Sequence, residues 1–323
     1  MNVQVDGLAV RARLASNLAV VRDRSSLVDV LVAAYLALLT LAAFVGSGPL
    51  RTRCLAISAT MLAVFVGTVC FVRGVGVDRK AAAYAYRAVI LASVLSSYFL
   101  LRWLLPTART AAYDLELLQI DRLVFGFEPT QWLERWITPA RTEWFAAFYL
   151  SYFALLALHV LPMLFLCRDD RLLSEFALGV IGLVCVGNLS YFVVPGFGPH
   201  HHLAYATPLP PGTVHNFLQE SVANAGALKD IFPSLHTALP TLLALFTFRH
   251  RRLAPFGFVW PVVTFFAVNI IIATLFLRWH YGIDVVAGLA LAWTVSRVAP
   301  VLAAREDASR RARGLGPDWP PIE

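Results

Sequence analysis

Long apolar runs separated by short polar breaks dominate the chain, near residues 27–48, 54–72, 84–105, 144–167, 174–195, 231–248, 256–277 and 283–303. A helix needs roughly 17–25 such residues to cross a hydrocarbon core about 30 Å thick. The pattern therefore predicts an all-α integral membrane protein with about eight transmembrane helices. Arg87 and Arg102 intrude on the third run, and Pro233 and Pro240 on the sixth. The first run follows 26 residues carrying four arginines and is long enough to stay as an anchor, so no cleavable signal peptide is expected. There is no repeat of fixed period, and the longest segments outside the runs hold about 35 residues, too few for a soluble domain.

Two of the intervening segments are unusual. Residues 113–137, YDLELLQIDRLVFGFEPTQWLERWI, mix apolar and charged positions and place Trp132 and Trp136 four apart. Two readings fit: a surface-lying connector with aromatic anchors, or a lid over a site that opens to lipid. Residues 196–230 begin GFGPHHHLAYATPLPPG, which is too rich in glycine and proline for a helix interior. A loop of this length in a compact protein is usually functional or disordered.

Composition agrees with the pattern. Hydrophobic residues make up 59% and charged residues 15% of the 323, against about 45–50% and 25% in soluble domains. The net charge of +7 could suit nucleic acid, but its placement points to membrane topology. With eight spans, 18 Lys and Arg residues fall on the side of the termini and 9 on the other. The positive-inside rule then puts both termini in the cytoplasm and the 106–141 and 196–230 loops outside. The basic 304–323 tail reads as a topology determinant near anionic lipid. Cys54, Cys70, Cys167 and Cys185 lie in or beside apolar runs with no CxxC pair, so they read as core residues.

Ionisable groups at membrane spans are costly and tend to be functional. His280 and Asp284 are spaced i, i+4, which on a helix puts them on one face within hydrogen-bonding reach. A carboxylate on one imidazole nitrogen fixes the tautomer and raises the basicity of the other. Alone this spacing is also satisfied by a helix cap and an end residue. His236 adds weight: it opens another outer helix end, behind a Pro-Ser turn that aims Ser234 and free amides outward. With Arg278 the set suits phosphoryl transfer, one imidazole attacking phosphorus and the other protonating the leaving oxygen. HExxH, HxxEH, GxxxxGK[ST] and GxSxG are absent. Consecutive His200, His201 and His202 cannot all point at one metal ion, so no metal or other cofactor is expected. The sequon at Asn188 lies inside an apolar run. A transporter using the histidines as proton relays is the other class considered. Matching halves with broken midplane helices, usual for transporters of this size, are missing.

At these residues the chain resembles the type 2 phosphatidic acid phosphatase superfamily. FPSLH, residues 232–236, looks like its second motif, and HYGID, residues 280–284, like its third. The bulky residue in the glycine place and the Ala-Thr that opens ATLFLRWHYGIDVVAG are similar to the branch typified by inositol phosphorylceramide synthase, as is IDRLVFGFEPTQWL. The resemblance covers roughly residues 84–303. It implies a six-helix core there, including 113–137; two accessory helices in 27–83 and the tails at 1–26 and 304–323, which the charge count puts in the cytoplasm, lie outside it. It further implies that His280 is the nucleophile, Asp284 its orienter, and His236 the acid and later the base. Ser234 would bind phosphate and no metal would be used. The implied partners are a phospholipid donor and a lipid or water acceptor, within the bilayer and with the site on the outer face. The Lys and Arg of the first motif are missing from VPGFGPHHH, and Thr274 stands where the third motif has Arg. Arg278 first, then Lys229 or His200, are the candidates to replace them. These losses fit a synthase-like transferase; a lipid phosphate phosphatase and a non-catalytic member are the alternatives.

Overall fold

The computed structural model describes residues 19–75, 80–225, 227 and 229–322. The first 18 residues of the expected N-terminal tail, and Arg79, lie outside the described residues. The helices that build the fold among the described residues are α1 (Leu27–Val45), α2 (Arg51–Val75), α3 (Lys80–Ala108), α4 (Asp114–Phe125), α5 (Pro139–Leu166), α6 (Asp170–Val193), α7 (Thr213–Ala225), α8 (Leu235–Arg249), α9 (Phe256–Phe276) and α10 (Gly282–Ala312). Single helical turns occur at Pro129–Trp132, Leu133–Trp136 and Pro199–His202. Among the described residues there is no strand, only an isolated parallel bridge between Gly196 and Asp230.

Among the described residues, seven helices are long and apolar enough to cross a membrane. The sixth expected span is shorter: α8 starts at Leu235 instead of 231 and holds 15 residues, about 22 Å of axis. The reason is local. Ser234 caps it, its Oγ accepting from the Thr237 N–H at 3.2 Å, and the chain bends at Phe232 and Pro233 just before it. α8 nevertheless traverses the bundle parallel to α10. Ser234 N donates to the Asp284 carbonyl at 3.1 Å at one end, and Arg249 donates to the Ser296 carbonyl at the other. Close approach of the two helices needs Gly288, where a Cβ would meet the Ser234 carbonyl oxygen at 2.6 Å.

The expected 196–230 loop is only partly a loop. Glycine and proline stop at Gly212, and α7 follows, its first N–H groups held by the Glu143 carboxylate at 3.0 Å (Val214) and 2.9 Å (His215). The C-terminal tail also departs from expectation. α10 continues to Ala312, and the chain then folds back, burying Trp319 to 3% exposure. Arg310, read as part of a lipid-facing basic tail, instead pairs with Asp318 at 2.9 Å. Arg310 also donates to the Arg24 carbonyl at 3.0 Å, so the described chain ends meet at one end of the bundle. All four cysteines are free.

Candidate active site

The site is assembled at the other end of the bundle, where α9 stops and α10 begins. Arg278 takes a left-handed φ of 68°, and the N–H groups of Trp279 and His280 both turn back to the Thr274 carbonyl, at 3.0 and 3.2 Å. Thr274 is fully buried and its hydroxyl donates to the Ile271 carbonyl at 2.7 Å. Where the resemblance led to an expected arginine, this chain has a turn-forming threonine.

Asp284 lies in the first turn of α10, and its Oδ2 accepts from the Tyr281 N–H at 2.8 Å and faces His280 Nδ1 at 3.3 Å. The carboxylate thus caps the helix and orients the imidazole at once. Both side chains are buried, His280 to 4% and Asp284 to 0% exposure. With the proton on Nδ1, the lone pair of His280 sits on Nε2. His236 faces this pair, its ring centroid 6.3 Å from that of His280. It stacks on Tyr149 at 4.3 Å and lies against Tyr152 at 4.1 Å. Its Nε2 is buried without a partner. Arg278 Nε, Trp279 Nε1 and Thr237 Oγ1 are in the same condition. Buried polar atoms normally find partners; these four, at the α9–α10 turn and the head of α8, have none within the protein.

The other expected site residues are distributed differently. Ser234 is fully buried and its hydroxyl serves the α8 cap. Arg278 lies over the Tyr205 ring at 3.7 Å and donates to the Thr207 carbonyl, keeping Nε free for an anion. Lys229 is spent on the carbonyls of Arg109, Thr110 and Ala111 at 3.4, 3.1 and 3.3 Å, so it ties two loops together. His200 packs edge-on against Trp279 at 4.8 Å, and its N–H donates to the Arg278 carbonyl at 3.2 Å. Neighbouring Gly198 has φ 98°, and a Cβ there would meet the Trp279 carbonyl at 2.6 Å.

Burial, helped by the neighbouring His201, pushes the His200 imidazole down to about 4. It is therefore neutral near pH 7 and offers no cation. A histidine lowered in the folded state contributes stability that is complete above its ordinary value of 6.5 and lost as pH falls toward 4. Between those limits the thermal midpoint of the wild type is expected to fall faster than that of His200→Gln. Parallel midpoints over that range would remove this assignment.

Three acidic residues were missed from the sequence. Asp121 accepts from the Gly282 and Ile283 N–H groups, both at 2.7 Å, at the head of α10. Burial pushes its carboxyl up to about 6 against the pull of those two amides. Asp114 accepts from the Gly198 N–H at 2.8 Å and the Tyr281 hydroxyl at 3.2 Å, and lies 3.3 Å from His202 Nε2. The seven-residue spacing of Asp114 and Asp121 puts them on one face of α4, which is the one signal that could have found them. α4 turns this polar face to the protein and an apolar face outward, as an amphipathic helix at a lipid interface does. Its aspartates face inward, while Leu115 and Leu123 are 62% and 84% exposed. Asp230, the third, is taken up below. Among the described residues no group of three or more His, Cys, Asp or Glu side chains could hold a metal ion.

Against known proteins, the sequence model of the PAP2 superfamily matches residues 115–298, which span α4 to α10 and contain all of these groups except Asp114. No curated protein and no solved structure matches the chain.

Proposed function

We propose that this chain, which belongs to the PAP2 superfamily, transfers a phospho-headgroup from a phospholipid to a lipid alcohol through a phosphohistidine at His280. Family membership supports phosphatase or phosphotransferase activity on lipid phosphates. The oriented His280–Asp284 pair, 3.3 Å apart with His236 facing it, supports the phosphohistidine, and the absence of first-motif cations from VPGFGPHHH supports transfer over hydrolysis.

In the first half-reaction His280 Nε2 gives its electron pair to phosphorus. The P–O bond to the donor's lipid alcohol breaks, and protonated His236 supplies the proton to that oxygen. In the second, neutral His236 takes the proton from an acceptor hydroxyl. The new P–O bond forms, the P–N bond breaks, and His280 regains its lone pair. Arg278 Nε and Trp279 Nε1 are the donors positioned to hold phosphate oxygens. The proposed site faces outward, with both termini cytoplasmic. Since His280, Asp284 and His236 supply nucleophile, orienter and acid, turnover is expected to survive EDTA.

Pulse-labelling with a headgroup-labelled phospholipid and a long-chain alcohol tests the reading. Label is expected to pass through an acid-labile protein adduct into a new lipid. Label appearing only in a water-soluble product would replace the transferase reading with a lipid phosphatase.

A further inference from the structure

A cavity of about 420 Å³ descends from His236 between α3, α5, α6 and α8. Its lining follows α6 from Tyr191 to Phe176, about 22 Å of helix axis, most of a hydrocarbon core about 30 Å thick. The walls are apolar, and one side opens outward between α3 and α5. There the lining residues Leu95, Phe153 and Leu161 are 51%, 51% and 45% exposed. A lipid can enter sideways through such an opening without leaving the bilayer.

The polar groups of this slot are few and grouped near its outer end. Asp230 lies there beside His236, and the Tyr98 hydroxyl hydrogen-bonds its carboxylate. His280 is within electrostatic reach of Asp230. Further in, Asn188 is 0% exposed. It lines the slot; its Nδ2 donates to the Tyr35 hydroxyl at 2.8 Å and its Oδ1 has no partner. Asn188 Oδ1 is an acceptor without a partner, and the Asp230 carboxyl, which accepts from the Tyr98 hydroxyl, keeps further lone pairs as acceptors. An occupant must bring hydrogen-bond donors to that end, which a lipid alcohol does and a fully esterified glycerolipid does not.

We propose that the slot is the binding site for the lipid alcohol of the reaction, its chain lying along α6 and its hydroxyl held by Asp230 and presented to His236. The inference rests on His236 being the acid and base of the transfer. Asp230 thereby becomes a specificity-determining residue, selecting neutral hydroxyl-bearing lipids.

The test uses the full chain in lipid nanodiscs with a long-chain alcohol carrying a mid-chain diazirine. Photolabelling is expected on the slot residues of α5 and α6, competed by unlabelled hexadecanol. Val184→Trp, which fills the slot, and Asp230→Leu, which removes the hydroxyl acceptor, should each weaken labelling by about tenfold, the effect of one lost interaction of ordinary strength. Label spread over the lipid-facing surface, indifferent to competitor and to Val184→Trp, overturns the slot. Unchanged labelling in Asp230→Leu overturns the role of Asp230. Labelling is expected to persist in His280→Gln. A slot that labels in a wild type without phosphoryl turnover would remove the catalytic reading and leave the slot, whereas diffuse labelling of an active enzyme would do the reverse.

Discussion

His280→Gln is expected to lower headgroup or phosphate release by about 10³-fold or more, some 4 kcal/mol of transition-state stabilisation. Glutamine roughly preserves the size of the side chain and its hydrogen bond to Asp284, so the loss would come from the missing nucleophile and not from collapse of the turn. His236→Ala should cost about 10²–10⁴-fold on a natural lipid, whose alkoxide is a poor leaving group. On an activated aryl phosphodiester, whose leaving oxygen needs no proton, His236→Ala should regain most of its first half-reaction and His280→Gln none. Asp284→Asn should fall between them, since an amide can still accept from the Tyr281 N–H but orients the imidazole poorly. These rates are measured on detergent-solubilised protein, with the burst of leaving group reporting the first half-reaction. Wild-type turnover in His280→Gln would sink the phosphohistidine mechanism. Equal behaviour of the two histidine variants on the activated ester would remove the division of roles.

The parts of this site that were readable from sequence share a property: their partners are close along the chain. His280 and Asp284 are four apart, so helix periodicity alone brings them together. Ser234 and His236 flank one helix start. The spans were legible because crossing a bilayer imposes a length and a composition on each helix. Contacts made across the fold were not legible. Asp121 reaches amides 161 and 162 residues away, and Asp114 reaches Gly198 at a separation of 84. An aspartate in an amphipathic stretch looks like a solvated one until its helix is seen to face inward. The same limit explains Lys229, a reasonable phosphate clamp by position that is committed to three carbonyls. α7 is hard to read from sequence because the glycine and proline of 196–212 dominate the composition of the segment, although 213–225 contains neither residue. The folded-back tail was hidden for a related reason. Its arginines were counted as free charge, when Arg310 and Asp318 neutralise each other in a buried pair.

The two N-terminal helices lie outside the matched family region, and their attachment supports the second large prediction. Arg73 of α2 is 6% exposed and its Nε pairs with Asp29 of α1 at 2.8 Å. It also donates to the Asp318 carbonyl at 2.8 Å, the Tyr86 hydroxyl at 3.0 Å and Ser26 Oγ at 3.2 Å. One guanidinium therefore joins α1, α2, α3 and the returning tail, using the fork geometry that lysine lacks. Arg73→Met leaves Asp29, 2% exposed, as a buried charge held by the Tyr86 hydroxyl and the Ser26 N–H. Breaking one side of such a pair costs about 3–5 kcal/mol, whereas replacing both sides can be neutral. A large drop in thermal midpoint is therefore expected for Arg73→Met, with much of it recovered in Asp29→Asn/Arg73→Met. Arg73→Lys should fall between, because a single ammonium cannot serve four acceptors spread around a planar fork. Turnover of folded protein at low temperature should remain, since this network and the histidines occupy opposite ends of the bundle. If Arg73→Met and the double variant are equally destabilised, the ion pair is not what docks α1 and α2. If neither is destabilised, the two helices are held by apolar packing alone.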